Sequence, residues 1–177
     1  MTQRLAQNHF ELFNLPVQFA IDLNTLDQHY RKVQSEVHPD RFVASTPAER
    51  LHSMQLATQA NEAYQTLKNP TARARYLLQI NEVDTQEESN TAMPPDFLIL
   101  QMEWREAIEE AEDAKDVDAL DHLLRQMRQE SKSLYEALHV ALDEKKQHHE
   151  AAEIVRKLSF IDKMRHDIEH TITKLED

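Results

Sequence analysis

The chain has 177 residues, 40% hydrophobic and 29% charged, with a formal net charge of −12. It contains no cysteine and no glycine, which excludes disulfides, thiol nucleophiles and iron–sulfur clusters held by its own thiolates, and disfavours the glycine-rich loops that cradle nucleotide phosphates. No stretch of eighteen apolar residues is present, and no strongly basic domain offers a nucleic-acid surface, so a membrane span and nucleic-acid binding are not expected.

Glycine-poor, and rich in alanine, leucine, glutamine and glutamate, the sequence reads as all-α. The opening MTQRLAQNHF lacks the long apolar core of a secretory signal, and the protein is expected to be cytoplasmic. Residues 9–15, HFELFNL, form a short apolar piece closed by Pro16. Asp22 is placed to cap a helix running to residue 37, with Leu23, Leu26, Tyr30, Val33 and Val37 spaced 3, 4, 3, 4 as one buried stripe. Arg31 and Lys32 project from its other faces. The stretch SEVHPDRF then stops the helix. Proline removes a backbone donor and pushes the preceding residue out of helical geometry, so His38, Pro39 and Asp40 should occupy the tip of a turn.

Thr46-Pro47-Ala48-Glu49 is a capping box with proline at the first helical position. The helix that follows is expected to bury Leu51, Met54, Ala57, Ala60, Tyr64 and Leu67. Two such helices joined by a compact loop should pack antiparallel. Asn69-Pro70 ends the second of them and starts a short helix over residues 70–80. Residues 81–93, NEVDTQEESNTAM, are polar and aperiodic and read as a linker between a domain at 1–80 and one at 94–177. Pro94-Pro95-Asp96 opens a helix to about residue 113. A second helix is expected from about 117 to 147 and a third from about 150 to 176, together a three-helix bundle.

Charge follows the same division. Residues 1–80 carry 8 basic and 7 acidic side chains, and residues 81–177 the remaining 12 and 25, giving +1 and −13. Two parts with different partners are implied. On the first helix of the bundle Phe97, Trp104, Ile108 and Ala111 form an ordinary core stripe. Leu98, Ile99 and Met102 lie roughly 100–200° away from Phe97 on the helical wheel, with Glu103, Glu106, Glu109 and Glu110 around them. A bundle helix needs one buried side, so this second apolar cluster reads as an exposed partner site rimmed by acids, as a broad core stripe, or as a contact with the first domain. Phe160, about 100° off the core direction of the last helix, would complete such a patch.

The HPD tripeptide carries little weight alone. Its setting is more specific: a helix with Arg31 and Lys32 before it, Arg41-Phe42 after it, then NEAYQTL, Asn69-Pro70 and RARYLL. Residues 8–80 with these motifs resemble a J domain, the module that stimulates ATP hydrolysis by DnaK-type chaperones. FLILQMEWREAIEEAE after it, and VRKLSFIDKMRHDIE near the C-terminus, extend the resemblance over nearly the whole chain to the bacterial iron–sulfur co-chaperone family HscB. The resemblance implies that His38, Pro39 and Asp40, flanked by Arg31, Lys32 and Arg41, engage the chaperone HscA. It implies that Leu98, Ile99, Met102, Glu103, Glu106, Glu110 and Phe160 bind the cluster scaffold IscU, with Leu100 enlarging the patch. It implies a co-chaperone without catalytic residues, cofactor or metal of its own. A general J-domain co-chaperone with other clients is the alternative. The HDIEH stretch matches an inverted zinc-peptidase pattern through His166 and His170. A hydrolytic zinc site needs a third protein ligand, and only seven residues follow His170, so no enzyme is expected.

Overall fold

A computed structural model describes residues 8–177; the residues before Asn8, part of the stretch weighed above as a possible leader, lie outside it. The chain divides into two compact units, the first ending at Ile80 and the second spanning Asn81–Asp177. Among the described residues every regular element is helical.

In the first unit, α1 (His9–Leu12) is a single turn capped by the Asn8 side chain, and its Phe10 is fully buried. The helix α2 (Leu23–Val37) begins where the Asp22 carboxylate accepts the Asn24 amide at 2.8 Å. A 3-10 turn over Pro39–Phe42 leads to α3 (Pro47–Lys68). Its capping box is complete: the Glu49 amide donates to Thr46 Oγ1 at 3.2 Å, and the Thr46 amide to the Glu49 carboxylate at 3.1 Å. Each bond satisfies an amide that the first helical turn leaves without a partner. Asn69 accepts from the Ala72 amide at 3.0 Å and so starts α4 (Pro70–Ile80).

The stripe expected on α3 is corrected. Leu51 and Met54 are exposed, and the buried residues are Ser53, Ala60, Ala63 and Leu67. Positions 51, 54, 57 and 60 are each three apart, a step that falls about 60° short of a full turn, so Leu51 and Ala60 point to opposite sides of the helix. The spacing 53, 60, 63, 67 stays on one side. Ala60 and Ala63, both without exposed area, permit the close approach of α2 and α3. Leu23, expected in the α2 stripe, is likewise exposed, whereas Leu26 and Val37 are buried. Between the hairpin helices Tyr30 and Tyr64 stack at 4.0 Å, and the Tyr64 hydroxyl donates to Asp27 at 2.7 Å. That bond to a carboxylate holds the Tyr64 hydroxyl protonated above its ordinary range.

His9 supplies a pH-dependent contribution to the first unit. Its ring stacks on Tyr76 at 4.2 Å, and burial lowers its pKa below 6.5, the Glu62 charge opposing that shift in part. The unfolded chain therefore binds this proton more readily than the folded one. The contribution is complete above pH 6.5 and is lost as pH falls through the depressed folded value. Between pH 7.5 and 5, the urea midpoint of the wild type is expected to fall further than that of His9→Gln; equal falls would remove His9 as the cause.

In the second unit, α5 (Pro95–Asp113), α6 (Val117–His139) and α7 (His148–Glu176) form the bundle. Asp116 caps α6 through the Ala119 amide at 3.0 Å. Leu120, Leu124, Met127, Leu134 and Leu138 of α6 meet Ile154, Leu158, Ile161 and Ile168 of α7 in the core. The long helix expected to reach residue 147 ends sooner. A single π-helical turn, Val140–Glu144, underwinds its end, and Lys146 turns the chain with φ 54°. Lys115 does the same after α5 with φ 52°. Left-handed positions of this kind usually fall to glycine, which this sequence lacks.

Residues 81–93 lie within the second unit. Thr85 is buried; its carbonyl accepts from Arg156 at 3.1 Å, and the Glu87 carboxylate accepts from Ser159. The segment expected as a linker is thus strapped to α7 by polar side chains.

Candidate functional site

Two clusters of candidate residues stand on the two units. In the first unit, α2 ends because His38 precedes a proline; its backbone is extended, with φ −61° and ψ 136°. The freed carbonyl of Val37 accepts from the buried Ser53 hydroxyl at 3.3 Å. Ser53 thereby ties the root of the loop to α3, a role that nothing in the local sequence announces. The Arg41 amide returns to the His38 carbonyl at 3.0 Å and closes the turn.

The His38 ring stays outside, its side chain 59% exposed beside an Asp40 side chain that is 88% exposed. His38 Nδ1 accepts the Asp40 amide at 3.3 Å. In the neutral ring this leaves Nε2 carrying the hydrogen and free to donate. A protonated ring would instead face the Asp40 carboxylate, 3.5 Å from Nδ1. The turn therefore presents one ring donor and one acceptor-only carboxylate on a backbone that Pro39 stiffens. Arg31, Gln34, Ser35, His38, Arg41 and Ala57 line a shallow groove leading from the turn along α2. Lys32, also exposed, points about 100° around the helix from Arg31 and is not part of that groove.

In the second unit, Phe97, Trp104 and Ala111 are buried, fixing the inward side of α5. Leu98, Ile99 and Met102 are 43%, 58% and 70% exposed, with Glu103, Glu106, Glu109 and Glu110 exposed around them. Leu100 is half-buried and faces Leu123 and Gln126 of α6 across a cleft, so it does not enlarge the exposed cluster. Phe160 is half-buried. Its ring meets the edge of Phe97 at 6.1 Å, and the Arg105 guanidinium lies 5.7 Å above it. Arg105 is about 20° from Leu98 on the α5 wheel, so Phe160 borders the same flank as the exposed trio. Exposed apolar side chains rimmed by carboxylates suit a partner surface that is apolar at its centre and basic at its edge.

A family model described as the HSCB C-terminal oligomerisation domain matches residues 93–169. A Cupriavidus taiwanensis protein named co-chaperone protein HscB homolog is 50% identical over 177 residues, covering 100% of both chains. This chain belongs to the HscB co-chaperone family. A Paraburkholderia xenovorans HscB homolog is 49% identical over 98% of each chain. Chaperone HscB from Vibrio cholerae superposes with a TM-score of 0.82 at 35% identity, covering 96% of this chain and 99% of that one. Human co-chaperone HscB reaches a TM-score of 0.86 at 27% identity over 94% and 82%. As in those HscB structures, a J domain is followed by a C-terminal helical bundle. In this HscB family member the HPD turn stands on the first unit and the Leu98 cluster on the second.

The remaining motif has no such setting. His166 and His170 are exposed on α7. Among the described residues no three His, Asp or Glu side chains lie close enough together to hold a metal ion. No helix among them is long and apolar enough to cross a membrane.

Proposed function

We propose that this HscB-family chain is a cytoplasmic adaptor that stimulates the ATPase of HscA and delivers the scaffold IscU to it, aiding the maturation of iron–sulfur proteins. The observation that carries the reading is the pairing of two exposed, chemically unlike surfaces on separate units: the His38-Pro39-Asp40 turn and the Leu98-Ile99-Met102 cluster. The first offers fixed hydrogen-bonding groups beside Arg31 and Arg41, suited to an acidic chaperone surface. The second offers apolar area whose burial favours association, with Glu103, Glu106 and Glu110 selecting a basic rim on the client.

Neither surface holds a nucleophile with an adjacent base, so on this reading the hydrolysis is the chaperone's and the adaptor contributes contact geometry. Holding client and chaperone on one chain turns their encounter into an intramolecular event with a raised effective concentration. The test is bridging. Immobilised IscU should capture ATP-loaded HscA more strongly in the presence of this protein than without it. Stimulation of the chaperone ATPase without any binding to IscU would favour a general J-domain co-chaperone serving other clients.

A further inference from the structure

Phe160 is a large ring on the flank of α7, more than about 100° away from the direction set by Ile154, Leu158 and Ile161. A half-buried side chain in that position has several staggered rotamers open to it, and only some of them project toward α5. Two contacts restrict it. Phe97, itself buried, presents its ring edge at an interplanar angle of 81°. Arg105 covers the ring with its guanidinium at 5.7 Å. The turn of α7 that leads into Phe160 is also fixed from outside, since Ser159 is bonded to Glu87 and Arg156 to the Thr85 carbonyl.

Arg105 differs from the other cation found above an aromatic ring in this region. Lys157 lies 5.7 Å over Phe97 but already has a carboxylate partner, Glu153, at 3.8 Å. Among the described residues no carboxylate lies within ion-pair distance of Arg105, although Glu106 and Glu109 flank it on the exposed face. Its planar fork of donors therefore stands open beside Phe160 in a groove that Arg156, Lys163, Glu109 and Glu112 also line, on the flank of α5 that carries Leu98 and Met102. A guanidinium held over a ring by charge–quadrupole attraction uses none of its N–H donors on the ring, so contacting Phe160 and receiving a carboxylate are compatible roles.

We infer that Arg105 is a positioning and specificity residue of the docking face: it clamps the Phe160 ring in line with Leu98 and Met102, and its open N–H fork receives a carboxylate of the docked scaffold. The inference rests on the proposed scaffold-binding role of this face. It adds an acidic group to the chemistry the client must present, beside the basic one that the surrounding glutamates select.

The experiment compares Arg105→Gln and Arg105→Lys in the full-length protein, alone and with Phe160→Leu, by titration calorimetry with IscU. Aromatic NMR of the free protein is recorded alongside. Arg105→Gln should weaken scaffold binding about five- to tenfold. Arg105→Lys should restore part of that, because charge over the ring is kept while the fork is lost. In the Phe160→Leu background the same glutamine change should cost fewer-fold than in wild type. In the free protein the Phe160 and Phe97 ring resonances should move in Arg105→Gln and stay near wild type in Arg105→Lys. Equal fold losses in both backgrounds, or unmoved ring resonances in Arg105→Gln, would overturn the clamp. A wild-type protein that fails to bind IscU would overturn the scaffold reading and the carboxylate contact with it, while the ring resonances would still decide the clamp.

Discussion

Replacing His38 with glutamine is expected to remove most of the stimulation of the HscA ATPase at concentrations that just saturate the wild type. His38 supplies the one ring donor at the tip of the turn, on a backbone already fixed by Pro39 and by the Arg41 amide bond to the His38 carbonyl. Loss of a central, preformed contact of this kind typically costs about 2 kcal/mol or more, a rise of roughly 30-fold in the concentration needed for half-maximal effect. The variant should fold as the wild type does, since the His38 side chain is 59% exposed. Its affinity for IscU should be unchanged, because those candidate residues stand on the other unit. Arg31→Ala should weaken stimulation more than Lys32→Ala, as Arg31 lines the groove beside His38 and Lys32 does not. Stimulation by His38→Gln equal to that by wild type would remove the turn from the mechanism.

The second large effect is expected from the triple variant Leu98→Ala, Met102→Ala, Phe160→Ala. Burying such side chains in an interface contributes about 1–2 kcal/mol each, so the triple should lose roughly two to four powers of ten in affinity for IscU. Basal ATPase stimulation without scaffold should persist. Leu98 and Met102 are largely exposed and their truncation should leave the bundle intact. Phe160 packs on Phe97, so its truncation should lower the melting temperature somewhat; the double variant without it separates the two consequences. Scaffold affinity unchanged in the folded double variant would place the binding face elsewhere.

Much of this arrangement was legible in the sequence where the signal is local. Asp22, the Thr46–Glu49 box and Asn69-Pro70 each bond an amide within three residues, and a short window of sequence contains both partners. The HPD turn was legible for the same reason, since a proline dictates its own φ and the conformation of the residue before it. On α5 the helical wheel showed a second apolar direction without deciding whether it was exposed; the exposure of Leu98, Ile99 and Met102 decides it.

What was not legible depends on contacts between distant residues. On α3 the apolar residues at 51 and 54 suggested a stripe, but the tight seam with α2 selects the small side chains of Ala60 and Ala63 instead. Ser53 reads as an ordinary polar helix residue until the Val37 carbonyl is placed above it. The strap at 81–93 looks like a free linker because its partners Arg156 and Ser159 stand 71 and 72 positions further along the chain from Thr85 and Glu87. Leu100 points about 60° from Phe97 and about 160° from Leu98 and Met102, a flank of α5 that α6 occupies. Arg105 above Phe160 joins α5 to α7, a contact for which neither helix alone carries a sign.

The central claim is that one chain couples client capture to chaperone turnover through two separate surfaces. Steady-state ATP hydrolysis by HscA, measured with this protein alone, with IscU alone and with both, tests it most directly. The account predicts stimulation by the protein alone, and with both present a rate above the sum of the separate effects. No stimulation by the protein, or a rate with both that equals that sum, would contradict it.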